Sequence, residues 1–471
     1  MGAALQKLGR TQDAIPHYQD ALRIQPDYAG AHYNLGNAVL ELGRTQEAIL
    51  HYQHALRIQP EHAEAHYTLG NALRELGRTQ EATLHYQDTL RIQPDHAKAH
   101  NNLGDTLRAL GRPEQALAHF EDAVRIQPDF AEAHMNWGIA LDALGRPEET
   151  LAHYREALRI QPKFAEAHDY WGSALQRLGR SQEAMLQYKE ALRIKPDYWM
   201  AHIHWGNALR AAGRPEEAIA HFEDALRIKP DSAEAHLNWG AALGAMRRPQ
   251  DALAHYEEAL RIKPDFFQAR YNWGAALGAM GRPKEAIAHF AEVVRIKPDF
   301  FQAHYNWGIA LETLGRPEEA LAHFDAVLRI KPGFAKAHQR RGATLVSLGR
   351  FKDALAQFND TVRNRPQDAA AVNDLAWLLA TCPVAELRDG QRALQLAGQL
   401  TKLQGPARFT FLATLAAAHA EAGKFDEAVR WQEQAVQLAP ARKKDKLNEG
   451  LELYRQGKPF RLPLKPQAEK K

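Results

Sequence analysis

Apolar and small residues return along this chain at intervals of 34. The prolines at 26, 60, 94, 128, 162, 196, 230, 264, 298, 332 and 366 keep that step, and each can be taken as position 32 of a common register. Large apolar side chains then fall at positions 7, 24 and 28, and small ones at 8, 20 and 27. In the repeat 29–62 these are Leu35, Tyr52 and Leu56, and Gly36, Ala48 and Ala55. In the repeat 131–164 Gly138 and Ala157 keep two of the small positions, and Thr150 stands at position 20. The spacing predicts two amphipathic helices per repeat. Helix A stops at a position 15 glycine (Gly43, Gly77, Gly111, Gly145), where a left-handed cap needs no Cβ. Helix B opens on Thr45 or Thr79, expected to cap free backbone donors, or on Pro113, Pro147 and Pro215, whose missing N–H is no loss there. One helix pair cannot bury its own apolar face, so the pairs must stack on one another.

With Gly or Ala at position 8, Ala at 20 and 27 and Pro at 32, residues 1–368 resemble the tetratricopeptide-repeat family. The resemblance implies an all-α fold, a right-handed α-solenoid superhelix of stacked 34-residue helix-turn-helix units. Eleven such repeats fit into 1–368, the first truncated because Met1 enters the register at position 7. Pro440 follows Pro366 by 74 residues, which makes 369–440 two divergent repeats with a short insertion in TCPVAELRDG. Residues 441–462 are expected to form a C-terminal capping helix and 463–471 a flexible basic tail. The strings LAWLLATCP, ELRDG, LAAAHAEAGKFDEAV and LYRQGKPFR resemble the C-terminal segment of bacterial repeat proteins of the planctomycete and verrucomicrobial kind.

Charge and motifs narrow the function classes. Sixty Lys plus Arg stand against 57 Asp plus Glu, a net of +3, which gives no broad footprint for a phosphate backbone and argues against a nucleic-acid partner. Apolar runs such as Leu375 to Ala380 are far too short to span a bilayer, so no membrane insertion is expected. The N-terminus lacks the basic-then-apolar pattern of a secretory signal, which favours the cytoplasm, with an upstream segment and an extracellular location left open. Cys382 is the single cysteine. No GxxxxGK[ST], GxSxG, HExxH or CxxC string occurs, so the chain is expected to be non-enzymatic, with no cofactor.

Helix A lines the concave face in the resembled family, with positions 5 and 6 among those turned to it. Position 6 is Asn in Asn34, Asn102, Asn136, Asn238, Asn272 and Asn306, a ladder of amides that can donate to and accept from the backbone of an extended peptide. The string AHYNLG, with its asparagine in this register, is similar to the repeat arm of O-linked N-acetylglucosamine transferases, and that likeness implies peptide binding. Tyr33, Tyr67, Tyr271 and Tyr305 stand at position 5 as aromatic anchors. The middle repeats put Met135, Asp169, Ile203 and Leu237 there. Asn306, Lys336 and Arg340 match three of the five registers of the family's carboxylate clamp, with Tyr271 and Ala275 at the other two. The leading expectation is a scaffold binding a protein or peptide partner on these residues. The alternative is head-to-tail self-assembly into a homo-oligomer through the truncated first repeat.

Two histidine rows remain, at position 4 (such as His32, His66, His100) and position 23 (such as His51, His85, His119). Members of either row are separated by at least a helix-packing distance, about 8–10 Å, whereas zinc ligands sit about 2 Å from the ion. No metal site is therefore expected within a row, and the rings are read as seam fillers that form hydrogen bonds. A joint titration near pH 6 that loosens the stack is the residual possibility. Trp137, Trp171, Trp205, Trp239, Trp273 and Trp307 at position 7 are packing residues, and Arg341 ends their series in a seam expected to be looser or solvent-facing.

Overall fold

The structure, a computed structural model, describes residues 1–405 and 407–463. From position 464 onward the expected basic tail lies outside the described residues. Among the described residues, regular structure consists of 27 α-helices and one 3-10 turn, Ala385–Leu387. The chain divides into two compact bodies, Met1–Asn238 and Trp239–Lys471.

The first body begins with a short helix, Gly2–Lys7, paired with Thr11–Ile24, and continues as regular repeats. Each has a 13-residue helix A, such as Ala29–Glu41, and a 14-residue helix B, such as Thr45–Ile58. Helix A ends because Gly43 turns left-handed, with φ 74°. Its N–H then donates to the Leu40 carbonyl at 2.9 Å, and the Arg44 N–H to the Val39 carbonyl at 3.0 Å, which closes two of the open carbonyls of the last turn. Thr45 and Thr79 do not cap helix B as expected. Each stands one residue inside it, Arg44 and Arg78 hold the cap position, and no side chain bonds the open donors there. The physical substitute is electrostatic. Glu47 and Glu81 bring a carboxylate to the positive end of the helix dipole, and Arg44 and Arg78 hold them at 2.8 and 2.7 Å. Pro113, Pro147 and Pro215 do open their helices.

Leu35, Tyr52, Leu69, Tyr86, Leu103 and Phe120 join across successive repeats in one buried cluster, each burial stabilising by about 1.5–3 kcal/mol. The position 8 glycine allows this. A Cβ on Gly36 would lie 2.6 Å from the Tyr52 ring, so helix A and helix B approach until the ring rests on bare backbone.

The second body repeats the pattern with three departures. Arg247 takes the place of the position 15 glycine yet keeps its left-handed backbone, φ 59°. Arg341, half-buried, borders an open cavity of about 380 Å³ together with Leu321, Asp325 and Leu345, so its seam is the looser, solvent-facing one the sequence suggested. Its Nε donates to Asp325 and its Nη1 to Gln357, each at 2.5 Å, so an ion pair and an amide replace the ring of the other repeats. Beyond Ala369–Thr381 the chain turns through Ala385–Leu387 before Gly390–Gln399. Arg388 fixes that insertion, donating to Glu421 at 2.9 Å and to the Cys382 carbonyl at 3.0 Å. Arg408–Glu421, Phe425–Leu438 and Ala441–Arg455 follow, and the Leu462 N–H returns to the Thr381 carbonyl at 2.9 Å. No helix among the described residues is long and apolar enough to cross a membrane.

Candidate functional site

Positions 5 and 6 of helix A, read from the sequence as parallel rows of groove ligands, bond to each other across repeat junctions. In the first body Asn102 donates to the Tyr67 hydroxyl at 3.3 Å and to Asn71 Oδ1 at 2.9 Å. Asn136 donates to Asn101 Oδ1 at 3.0 Å, and Asn101 in turn to Asn102 at 3.2 Å. The same step recurs in the second body, where Asn306 donates to the Tyr271 hydroxyl at 3.0 Å. Asn101, Asn102 and Asn136 are buried, and their hydrogen bonds satisfy groups that would be costly left unpaired. The sharpest case is ionic. Asp169, 1% exposed, receives His204 Nδ1 at 2.9 and 3.0 Å. Burial works against a charge on His204, but the Asp169 hydrogen bond and charge outweigh it and hold the imidazole above its ordinary value.

Asn34, Asn238 and Asn272 are half-buried and make no side-chain hydrogen bond among the described residues. The tyrosines are half-buried and their rings are braced by position 34 of the same repeat. Tyr33 and Tyr67 lie 4.9 and 4.7 Å from His62 and His96, and Tyr271 and Tyr305 meet Phe300 and Phe334 edge-on at 5.1 and 5.2 Å. Asn306 also borders a cleft of about 210 Å³ lined by Ala275, Gly278, Ala279, Ile309 and Thr313. The sequence marked Ala275 only as a missing clamp residue. Its small side chain, with Gly278 one turn on, is what opens the cleft. Of the clamp residues, Arg340 is exposed and paired with Glu312 at 3.1 Å. Lys336 is exposed at the mouth of a pocket shared with Gln339 and Asp374. Burial pushes the Asp374 carboxyl up to about 6.

The histidines do form hydrogen bonds, but between the rows. Nδ1 of position 4 faces Nδ1 of position 23 in the same repeat at 3.4 Å for His32 and His51, 3.1 Å for His134 and His153, and 3.0 Å for His304 and His323. Trp137, Trp205, Trp239 and Trp307 stack on the position 23 ring of their own repeat, Trp137 on His153 and Trp307 on His323 at 4.0 Å each. Burial is the main cause that lowers the imidazoles of His51, His85, His119 and His289, and it pushes His153, His221 and His323 down to about 4.

Models described as Tetratricopeptide repeat match residues 1–63, 61–129, 101–164, 172–198, 199–265, 237–299, 271–333, 312–378 and 410–439. The chain is a tetratricopeptide-repeat protein. Solved tetratricopeptide-repeat structures similar to parts of it include YrrB, described as a protein with an unusual peptide-binding site, at 24% identity over 39% of this chain and 95% of that one, TM-score 0.33. The pilF protein of Pseudomonas aeruginosa is 20% identical over 43% and 92%, TM-score 0.39. MamA is 26% identical over 35% and 96%, TM-score 0.32. No curated protein sequence matches the chain. Tetratricopeptide-repeat proteins generally mediate protein–protein interactions.

Proposed function

We propose that this tetratricopeptide-repeat protein is a non-enzymatic interaction scaffold that takes an extended peptide along its helix-A faces and seats one apolar side chain in the cleft beside Asn306. The cleft carries this reading. It is walled by helix A of two successive repeats, holds small apolar residues, and has an amide at its edge whose Oδ1 can accept from a peptide N–H. Tyr271 and Tyr305 stand on those same helices as braced anchors, so little rotamer freedom is lost on binding. Within the second body Asn272 offers a further backbone-reading amide; in the first body Asn34 and Asn238 are free to do the same, whereas Asn102 and Asn136 act as junction bolts.

The test selects peptides from a random library on the full chain and measures the winners by fluorescence anisotropy against the full chain and its Gly278→Leu variant. A Cβ on Gly278 meets nothing within 4 Å, so leucine fills the cleft without disturbing the helix. Affinity is expected to fall at least about tenfold, or about 1.4 kcal/mol. Equal binding by the variant, or no selectable peptide, sinks the reading. A second reading, head-to-tail association, is favoured by one observation: Leu8 and Ile24 in the first repeat are 74% and 82% exposed. A mass that grows with concentration in light scattering of the same samples would favour it.

A further inference from the structure

Three of the histidine pairs in the first body have a third member. His66 and His85 face each other through Nδ1 at 3.0 Å, and Asp88 Oδ2 lies 3.7 Å from His66 Nδ1. His100, His119 and Asp122 repeat this at 3.2 and 3.8 Å, and His202, His221 and Asp224 at 3.1 and 3.8 Å. These are the three clusters among the described residues whose ligand atoms all lie within 4.8 Å of one another. Tetrahedral ligands about 2.0–2.1 Å from a zinc ion stand about 3.3–3.4 Å apart, so the observed spacings need only small rotamer adjustments to enclose one.

The surroundings of each cluster orient it as ligand environments do. Nε2 of the position 4 ring lies against the carbonyl of the preceding period proline, His66 on Pro60 and His100 on Pro94 at 3.0 Å, His202 on Pro196 at 3.3 Å. A carbonyl can only accept, so Nε2 carries the proton and the Nδ1 lone pair points into the cluster. The position 29 arginine takes the other carboxylate oxygen. Arg125 donates to Asp122 Oδ1 at 2.5 Å, Arg227 to Asp224 Oδ1 at 2.6 Å, and Arg91 to Asp88 Oδ1 at 3.4 Å, leaving Oδ2 towards the imidazoles in all three. Length matters. In the repeat 131–164 the longer Glu156 gives both oxygens to Arg159, and no such cluster forms around His134 and His153.

We propose that these three clusters are divalent transition-metal sites, of zinc type, with two imidazole Nδ1 atoms and one carboxylate oxygen each and a fourth position open to water. Imidazole with carboxylate suits zinc better than the hard, oxygen-seeking cations. Loading requires that the position 23 ring carry its proton on Nε2, so that both Nδ1 lone pairs face the ion. The bound ion would clip helix A to helix B inside three repeats.

Two repeats of this chain supply the control. Gln187 and Gln357 stand at position 23 and bond the position 4 histidine at 2.7 Å in each, so His85→Gln, His119→Gln and His221→Gln are changes the fold already accommodates. Metal-stripped full chain and the triple variant are dialysed against low-micromolar free Zn²⁺ and the bound metal counted. The full chain is expected to bind three more zinc ions than the variant, to show tetrahedral Co²⁺ absorption that the variant lacks, and to gain in Tm with zinc. Asp88→Asn, Asp122→Asn and Asp224→Asn together should weaken binding tenfold or more. Equal zinc content in the full chain and the histidine variant, with matching melts in chelator, would overturn the assignment.

Discussion

Arg247 pays a conformational penalty that its counterparts avoid. It holds φ 59° where Gly213 and Gly281, one repeat away on either side, hold 76° and 73°, and a side chain in that region costs about 1–2 kcal/mol. Arg247→Gly is expected to slow hydrogen exchange across 233–266, corresponding to about 1 kcal/mol of added local stability. Unchanged exchange would mean that contacts of the arginine side chain offset the strain. The neighbouring amides teach a different lesson. That Asn102 and Asn136 occupy one face of helix A was legible from their register. Their burial was not, because position 6 looks both outward and back towards the preceding repeat. Which direction it takes depends on a residue 35 positions earlier, and Tyr67, Asn101 and Asp169 each supply a partner there.

At the scale of helices, the pairing within a repeat was readable because position 8 glycine and position 24 aromatic always travel together. The histidines show the limit of that reading. Each row taken alone has spacings that exclude a shared ligand, while the fold brings position 4 of helix A against position 23 of helix B in the same repeat, 19 residues apart. Junctions between repeats are the other element that sequence left open, and the one at Asp169 and His204 makes a sharp prediction. Removing the imidazole leaves a buried carboxylate without its cation, which costs about 3–5 kcal/mol. His204→Ala should raise exchange rates selectively in 165–232, while Asp169→Asn paired with His204→Gln should recover most of the loss. A His204→Ala chain with native protection would show that water replaces the ring.

For the whole molecule, acid is the revealing variable. An imidazole whose folded value is depressed binds protons more readily when unfolded, so its stabilisation is intact above its unfolded value, about 6.5, and is lost as pH falls from there towards 4. His153, His221 and His323, held near 4 mainly by burial, all act in this direction. His204 runs the other way. Its raised value adds stability below the unfolded value, and that gain is lost as pH rises through the folded one. His32, His51, His134, His202, His289 and His304 are lowered as well, so the depressed imidazoles outnumber it. In chelator, Tm is expected to fall by at least about 5 °C between pH 7.5 and 4.5, with a shallower slope after His153→Gln and His323→Gln. A flat profile would show that the unfolded chain keeps its histidines equally shielded.

Repeats of one length look interchangeable, like beads that can be added or removed from a string. The bonds from position 6 to the preceding position 5 say otherwise. Excising residues 199–232 would bring Asn238 behind Asp169 and leave that buried carboxylate without the imidazole of His204. Excising 165–198 would set His204 against Met135, an apolar thioether. The junctions at Tyr67, Asn101, Asp169 and Tyr271 thus carry an address, and this chain tolerates duplication or loss of a repeat beside them only where the addresses on both sides still match.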